Sequence, residues 1–278
     1  MDDEDDNVNV ILRDEGSKAN DRRKPELVET YVQLLSRLIQ RPPVVDLDSI
    51  LFFNELDNKD VIEVKGSVSS GVPSLLVQIV TKSILPSKYN GLDMDVFYIN
   101  TENQFQISAV FEAALNEMRE FEGHSKLDEE VKSALTKLKM IHCYNYYQFL
   151  VTINNLQDIL IENKKIGLII IDSISAYYWQ QRETELSYDS FVLKLLKNVQ
   201  KSSSEFKILT LYTKPIDFVS KNKSSNAYEL RNLLSYDISL VRDEKSNELN
   251  CSVRYKNKIK TLKYEITKTK LKWLINNS

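Results

Sequence analysis

The apolar residues of this chain change period several times. Leu27, Tyr31, Leu34, Leu35 and Leu38 recur at helical spacing behind Pro25, which suits a first helical position, and Pro42-Pro43 breaks the pattern. Beyond that point short apolar runs alternate with helical stripes. Strands are predicted over Val61–Lys65, Asp95–Asn100, Lys139–Cys143, Ile166–Ile171 and Lys207–Thr213, and helices over Ser74–Leu85, Gln104–Arg119, Tyr147–Ile161 and Ser187–Val199. A run that is apolar from end to end, as Ile166–Ile171 is, belongs to a strand covered on both faces, and strand–helix alternation is the pattern of a parallel sheet between two helical layers. After residue 236 the chain reads as short strands, Asp237–Val241, Asn250–Tyr255 and Leu262–Thr267, separated by polar turns, which predicts an antiparallel extension. The polar stretches 120–137 and 214–235 read as loops or partly ordered helices. Residues 1–23 are acidic, lack any apolar period and are expected to be disordered, leaving one core domain over 24–278. The expected fold class is α/β, with a mixed, mainly parallel sheet.

The turn after the first predicted strand carries the candidate chemistry. It reads Val64-Lys65-Gly66-Ser67-Val68-Ser69-Ser70-Gly71-Val72-Pro73 and has the frame of a phosphate-binding loop: strand, glycine, four residues, glycine, helix. A working loop continues with a lysine, whose charge reaches the β- and γ-phosphates, and a hydroxyl that ligates magnesium. Val72 and Pro73 stand at those two positions, and proline also lacks the backbone N–H that would point at phosphate. Gly66, Gly71, Val72 and Pro73 are therefore expected to form a degenerate phosphate loop; two glycines alone would equally punctuate an ordinary strand–helix turn. Asp172 ends the Ile166–Ile171 run as a Walker B acid does, and would either hold magnesium or cap the following turn.

Composition removes other classes. The net charge of −3 gives no whole-chain attraction to nucleic acid, so any DNA contact would be local. Two cysteines, Cys143 and Cys251, and two histidines make neither a disulfide framework, a structural zinc site nor a histidine-based nucleophile well supported. The acidic N-terminus has the wrong charge for a signal peptide and no apolar run reaches membrane-spanning length, so a soluble intracellular protein without a metal or cofactor is expected.

The phosphate-loop frame, Tyr98-Ile99-Asn100-Thr101-Glu102-Asn103 and Ile169-Ile170-Ile171-Asp172-Ser173-Ile174-Ser175-Ala176-Tyr177-Tyr178-Trp179, in this order, resemble the RecA-type recombinase family and, within it, the recombinase paralogues. Ser83-Ile84-Leu85-Pro86 and the Glu29–Arg41 segment extend the resemblance, which covers roughly residues 26–215. It implies a RecA-like P-loop ATPase core, membership of hetero-oligomers with other RecA-like paralogue subunits, and a role in homologous recombination repair in the nucleus. It places Glu102 where the family orients the attacking water. With no cation at Val72 and no alcohol at Pro73, Glu102 and Asp172 read as relics, and the chain as a non-catalytic subunit. Two alternatives stay open: an ATPase subunit that still binds nucleotide weakly, and a single-stranded DNA-binding accessory that needs no partner.

The resemblance also implies a groove that receives a strand from a neighbouring subunit, formed by Phe97 and Ile99, Ile141 and Cys143, and Leu150 and Ile153. Two family loops that face DNA would fall near Gln180–Ser190 and Lys214–Ser235, making Arg182, Lys214, Lys221, Lys223 and Arg231 candidates for single-stranded or branched DNA, close to the aromatic run Tyr177–Trp179. The basic stretch 254–272 is equally explained by lysines that keep an edge strand from pairing.

Overall fold

A computed structural model describes residues 30–274, apart from 54, 122–126, 184–186, 217–224, 244 and 268–269. The acidic segment 1–23 and the candidates Lys221 and Lys223 lie outside the described residues. The elements run α1 (Tyr31–Leu38), β1 (Val61–Lys65), α2 (Val72–Ile84), β2 (Asp95–Asn100), α3 (Ile107–Arg119), α4 (Leu127–Leu135), β3 (Leu138–His142), α5 (Tyr146–Asn154) and α6 (Leu156–Glu162). They continue with β4 (Ile166–Asp172), α7 (Tyr178–Gln181), α8 (Tyr188–Ser203), β5 (Leu209–Lys214), α9 (Ser225–Leu233), β6 (Tyr236–Arg242), β7 (Leu249–Tyr255), β8 (Lys258–Ile266) and β9 (Leu271–Leu274).

The strands form one nine-stranded sheet in the order β3-β2-β4-β5-β1-β6-β7-β8-β9. All pairings from β3 to β6 are parallel, and those from β6 to β9 are antiparallel. The mixed α/β architecture read from the apolar pattern is the one observed. β4 shows why its run is continuous: Leu168 and Ile170 enter the core beneath α2 and α3, while Ile169 and Ile171 enter the core beneath α5, α6 and α8. Beyond β6 the alternation becomes one-sided. Cys251, Val253, Leu262 and Tyr264 point inward, whereas Ser252, Arg254, Lys263 and Glu265 face water.

Several boundaries differ from expectation. The predicted helix over 147–161 is two helices, α5 and α6, because Asn155 leaves helical geometry (φ −89°, ψ 3°) and serves as the end of one and the start of the other. The polar 120–137 stretch contains α4, which buries Leu127, Val131 and Ala134 along one face. The 214–235 stretch contains α9, and β8 begins four residues ahead of the predicted start at Leu262. In the basic C-terminal stretch Lys256 and Lys258 pair with Glu55, Lys263 with Glu248, Lys270 with Glu117 and Glu120, and Lys272 with Glu265. These lysines form a solvated, ion-paired edge. Among the described residues no helix is long and apolar enough to cross a membrane.

Arg41 ties the chain following α1 to the core. Its guanidinium donates to Leu160 O (2.6 Å), Asn163 O (2.7 Å) and Ile166 O (3.3 Å), and lies 5.6 Å from the centre of the Phe206 ring. It thus satisfies carbonyls at the C-terminal end of α6 and the start of β4. Burial lowers its pKa to about 10, which still leaves it charged at neutral pH. Charge-assisted bonds of this kind contribute about 1.5–3 kcal/mol each to the cost of truncation, and they share one side chain here, so Arg41→Ala should cost ~2–3 kcal/mol in a urea titration. Arg41→Lys should recover little, because one ammonium cannot span three carbonyls held by a planar fork.

Candidate functional site

The turn between β1 and α2 joins a central strand to a helix, as the phosphate-loop frame requires. Its interior is occupied by its own bonds. Val68–Ser70 form a single 3-10 turn capped by Ser67. The Ser67 N–H donates to Ser70 Oγ (2.9 Å), the Ser70 N–H to Ser67 O (3.1 Å) and Oγ (3.2 Å), and Ser70 Oγ to Ser67 O (2.8 Å). The Gly71 N–H donates to Val68 O (3.1 Å) and the Gly66 N–H to Lys214 O (3.4 Å). Amides of Gly66, Ser67, Ser70 and Gly71, which a phosphate nest would aim at an anion, are thus engaged within the protein. The C-terminal strands pin the turn from outside: Tyr264 OH donates to Ser70 O (2.5 Å) and Arg242 Nε to Ser69 O (3.0 Å).

Both glycines are dictated by this compact form. A Cβ on Gly66 would stand 2.6 Å from Ser70 Oγ and from Val72 Cγ2. Gly71 has φ +88°, and a Cβ there would stand 2.7 Å from Ile266 Cδ1. Val72 opens α2 with its side chain buried among the apolar residues beneath the sheet, and Pro73 sits in the first helical turn, where a missing N–H is tolerated. Gly66, Val72, Pro73, Glu102, Asp172 and Lys214 line one cleft, so the structure does bring these sequence-predicted positions together. The cleft measures about 60 Å³, against the ~300–1,000 Å³ usual for small-molecule and cofactor sites.

The carboxylate of Asp172 at the cleft is held by the protein. Asp172 Oδ1 accepts from Thr213 Oγ1 (2.6 Å) and Oδ2 from Tyr98 OH (2.7 Å). Its bonds run across neighbouring strands, so the expectation that it caps the following turn gives way to a cross-strand role. Glu102 stands just past β2, its N–H donating to Asp172 O (3.3 Å). Glu102 is exposed as a whole, but desolvation of its carboxyl at the cleft, and then the nearby Asp172 charge, raise its pKa from the ordinary carboxylate value, opposed by a hydrogen bond from Ser173.

Lys214 is the cation lining the cleft among the described residues, and it is not a loop lysine. It closes β5, is 10% exposed, and pairs with Glu63 Oε2 at 2.8 Å. Glu63 is itself buried in the middle of β1, accepts from Tyr212 OH (2.6 Å) and lies 3.5 Å from Lys65 Nζ, which also pairs with Asp237. The strand runs one residue past its predicted end and draws Lys214 into the interior, which removes it from the candidates for DNA. Arg182, at the end of α7, and Arg231, on α9 beside Arg254 and Lys256, remain exposed.

The groove expectation needs correction. Phe97, Ile99, Cys143 and Ile153 are core residues, at most 3% exposed, because β2 lies inside the sheet with α5 packed over it. Ile141 and Leu150 are half-buried at the margin. The exposed apolar surface lies farther out, at Tyr144 (68%), Tyr147 (76%) and Val151 (57%), next to β3, whose outer edge has no partner strand among the described residues. These three residues were missed by the sequence reading. The available signal was that apolar residues occupy nearly every side of α5, more than one buried face needs.

A mixed sheet in this order, with a phosphate-loop frame after its central strand and acids after the two strands beyond, defines a RecA-like domain. Residues 43–229 match the Rad51 family, and the chain belongs to it. Among curated proteins it is similar to DNA repair protein XRCC2 of Mus musculus, with 27% identity over 194 residues, covering 66% of this chain and 67% of that protein. It is also similar to DNA repair and recombination protein RadA of Metallosphaera sedula, with 25% identity over 123 residues, covering 44% of this chain and 35% of that protein.

Proposed function

We propose that this chain is a non-catalytic subunit of a recombinase-paralogue complex, serving homologous recombination repair in the nucleus through contacts with other RecA-like subunits. The observation that carries this reading is the self-filled turn: four of its amides are bonded within the protein, a valine and a proline open the helix, and the nearby lysine is committed to Glu63. Tight triphosphate binding needs free amides, a mobile cation and a metal-binding alcohol together. The similarity to a DNA repair protein of the mouse supports the process. The open β3 edge beside Ile141, Tyr144, Tyr147, Leu150 and Val151 supports the mode, a strand donated by a neighbour with its apolar side chains on this patch.

A titration of the native chain with Mg-ATP should give no saturable binding up to millimolar nucleotide. Saturable binding that disappears in Glu102→Ala or Asp172→Ala would instead establish the weakly nucleotide-binding ATPase. Purification of the native complex should bring down a second RecA-like subunit, and recovery of the chain alone, with tight salt-sensitive DNA binding, would favour the partner-independent accessory.

A further inference from the structure

A cavity of about 300 Å³ opens where α9 ends and β6 begins, with the end of β7 on its far side. The strand register fixes its place. Tyr236 pairs with Ile62 near the start of β1 and with Tyr255 at the end of β7. The cavity therefore lies at the end of the sheet where β1 begins, opposite the phosphate-frame turn that follows β1. It shares no residue with the cleft at that turn.

Three cations, Arg231, Arg254 and Lys256, line the cavity against one acid, Asp237. That acid is already engaged: it pairs with Lys65 and lies 3.4 Å from the Arg254 guanidinium. Lys256 stands 3.8 Å from Glu55, whose closer partner is Lys258. The Arg231 guanidinium is exposed and has no hydrogen-bonding or ionic partner among the described residues. The Arg254 and Lys256 side chains are 45% and 69% exposed, so all three charges can be reached from solvent. Ser235 Oγ accepts from the Val61 N–H (3.3 Å), which leaves its O–H free to donate into the cavity. Two guanidinium forks, an ammonium and a hydroxyl make a wall of donors with an excess of positive charge. Such a wall suits a ligand whose oxygens are charged and only accept, and a guanidinium fork matches paired phosphate oxygens. Tyr228 stands three residues before Arg231, on the same face of α9, and is 70% exposed. An open aromatic ring beside phosphate-binding cations is the pairing that holds an unpaired nucleotide, whose base stacks while its phosphate is gripped.

We propose that this cavity binds the backbone phosphates of a single-stranded nucleic acid, with Arg231, Arg254 and Lys256 on phosphate oxygens and a base stacked on Tyr228. Three phosphate contacts give only weak binding by themselves, so the site adds affinity for a strand to whatever assembly carries the chain and does not depend on the identity of its partners.

The test is a fluorescence-anisotropy titration of labelled dodecathymidylate with the full chain at several salt concentrations. Weak binding is expected, with log affinity falling against log salt at a slope of about −2, from ~0.7 per phosphate on a single strand. Arg231→Gln should reduce the steepness of that slope by about 0.7 and weaken binding about fivefold near 0.1 M salt. Its melting temperature should not change, because the guanidinium it removes is exposed and unpartnered. Tyr228→Ala should weaken binding about tenfold at every salt concentration and leave the slope alone, since stacking releases no counterions. Lys132→Gln, at an exposed position of α4 in the other helical layer, should change neither. The proposal is overturned if the strand does not bind at low salt, or if Arg231→Gln leaves the slope unchanged, which would place the strand elsewhere. It is also overturned if hexaglutamate or pyrophosphate displaces the strand at equal concentration, which would make the cavity a site for an acidic peptide or for free phosphate.

Discussion

Leucine in place of Glu63 is expected to remove ~3–5 kcal/mol of folding stability, the usual consequence of breaking a buried ion pair from one side. Glu63 is 2% exposed at the centre of β1, paired in parallel with β5 and β6. Its carboxylate holds the Lys214 ammonium at 2.8 Å and receives the Tyr212 hydroxyl at 2.6 Å. Removing it leaves an ammonium, 10% exposed, with its nearest counter-charge gone, and a buried phenol without its acceptor. A second substitution separates this cause from simple loss of packing. Glu63→Leu with Lys214→Met removes both charges, and buried pairs replaced together by apolar groups are often close to neutral. Urea unfolding of the two single variants and the double variant should therefore give a double mutant whose cost is well below the sum of the singles, with a coupling of ~2 kcal/mol or more. Additive costs, or a single Glu63→Leu cost below ~1 kcal/mol, would mean that the pair does not hold this part of the sheet. The outcome bears on function as well. While Glu63 holds Lys214, the cation lining the phosphate-frame cleft cannot stand in for the one absent at Val72.

The same pair marks where sequence reasoning stops. Periodicity locates β1 and β5 separately, because each run is bounded by turns, but nothing in one sequence says that residues 63 and 214 are neighbours. Lys214 follows an apolar run and precedes a proline, so it reads as the first residue of a loop; the parallel register with β1 extends the strand through it. The phosphate-loop frame, by contrast, was legible, since it depends on local spacing and on residue types with fixed chemical roles. What spacing could not convey is that the turn fills itself, since Ser67 and Ser70 read as ordinary small polar residues until the 3-10 geometry pairs them. The partner groove failed for a different reason. Alternation along β2 places Phe97 and Ile99 on one face correctly, yet whether that face is open or covered depends on α5, which a strand pattern cannot place. For α4 the sequence did contain a signal, Leu127, Val131 and Ala134 at helical spacing, hidden by the polar residues around them.

Aspartate at both Tyr147 and Val151 should abolish capture of the proposed RecA-like partner subunit while changing the melting temperature of the chain little. The two residues are four apart on α5, share a face, and are 76% and 57% exposed, so charges placed there meet water in the free chain, and the ring contact of Tyr147 with Tyr146 (centroids 6.2 Å apart) is the one core contact given up. In the complex they would lie beneath the apolar side chains of a strand added to β3, where a carboxylate must be desolvated without a partner. Aromatic residues at the centre of an interface commonly carry ~2–4 kcal/mol each, so the pair should weaken association by about 100-fold or more. The opposite edge of the sheet supplies the control. β9 is four residues long and carries Lys272, and Lys270 stands just before it, features that discourage strand addition, so Leu274→Asp, at a position 42% exposed, should leave capture intact. Co-expression followed by affinity purification, with a titration of the purified subunits, reads both results. Unchanged capture by Tyr147→Asp/Val151→Asp would remove β3 as the docking edge, and loss of capture by Leu274→Asp alone would move it to β9. The asymmetry is expected because the two edges differ in what lies beside them: an apolar helix face next to β3, and paired lysines along β9.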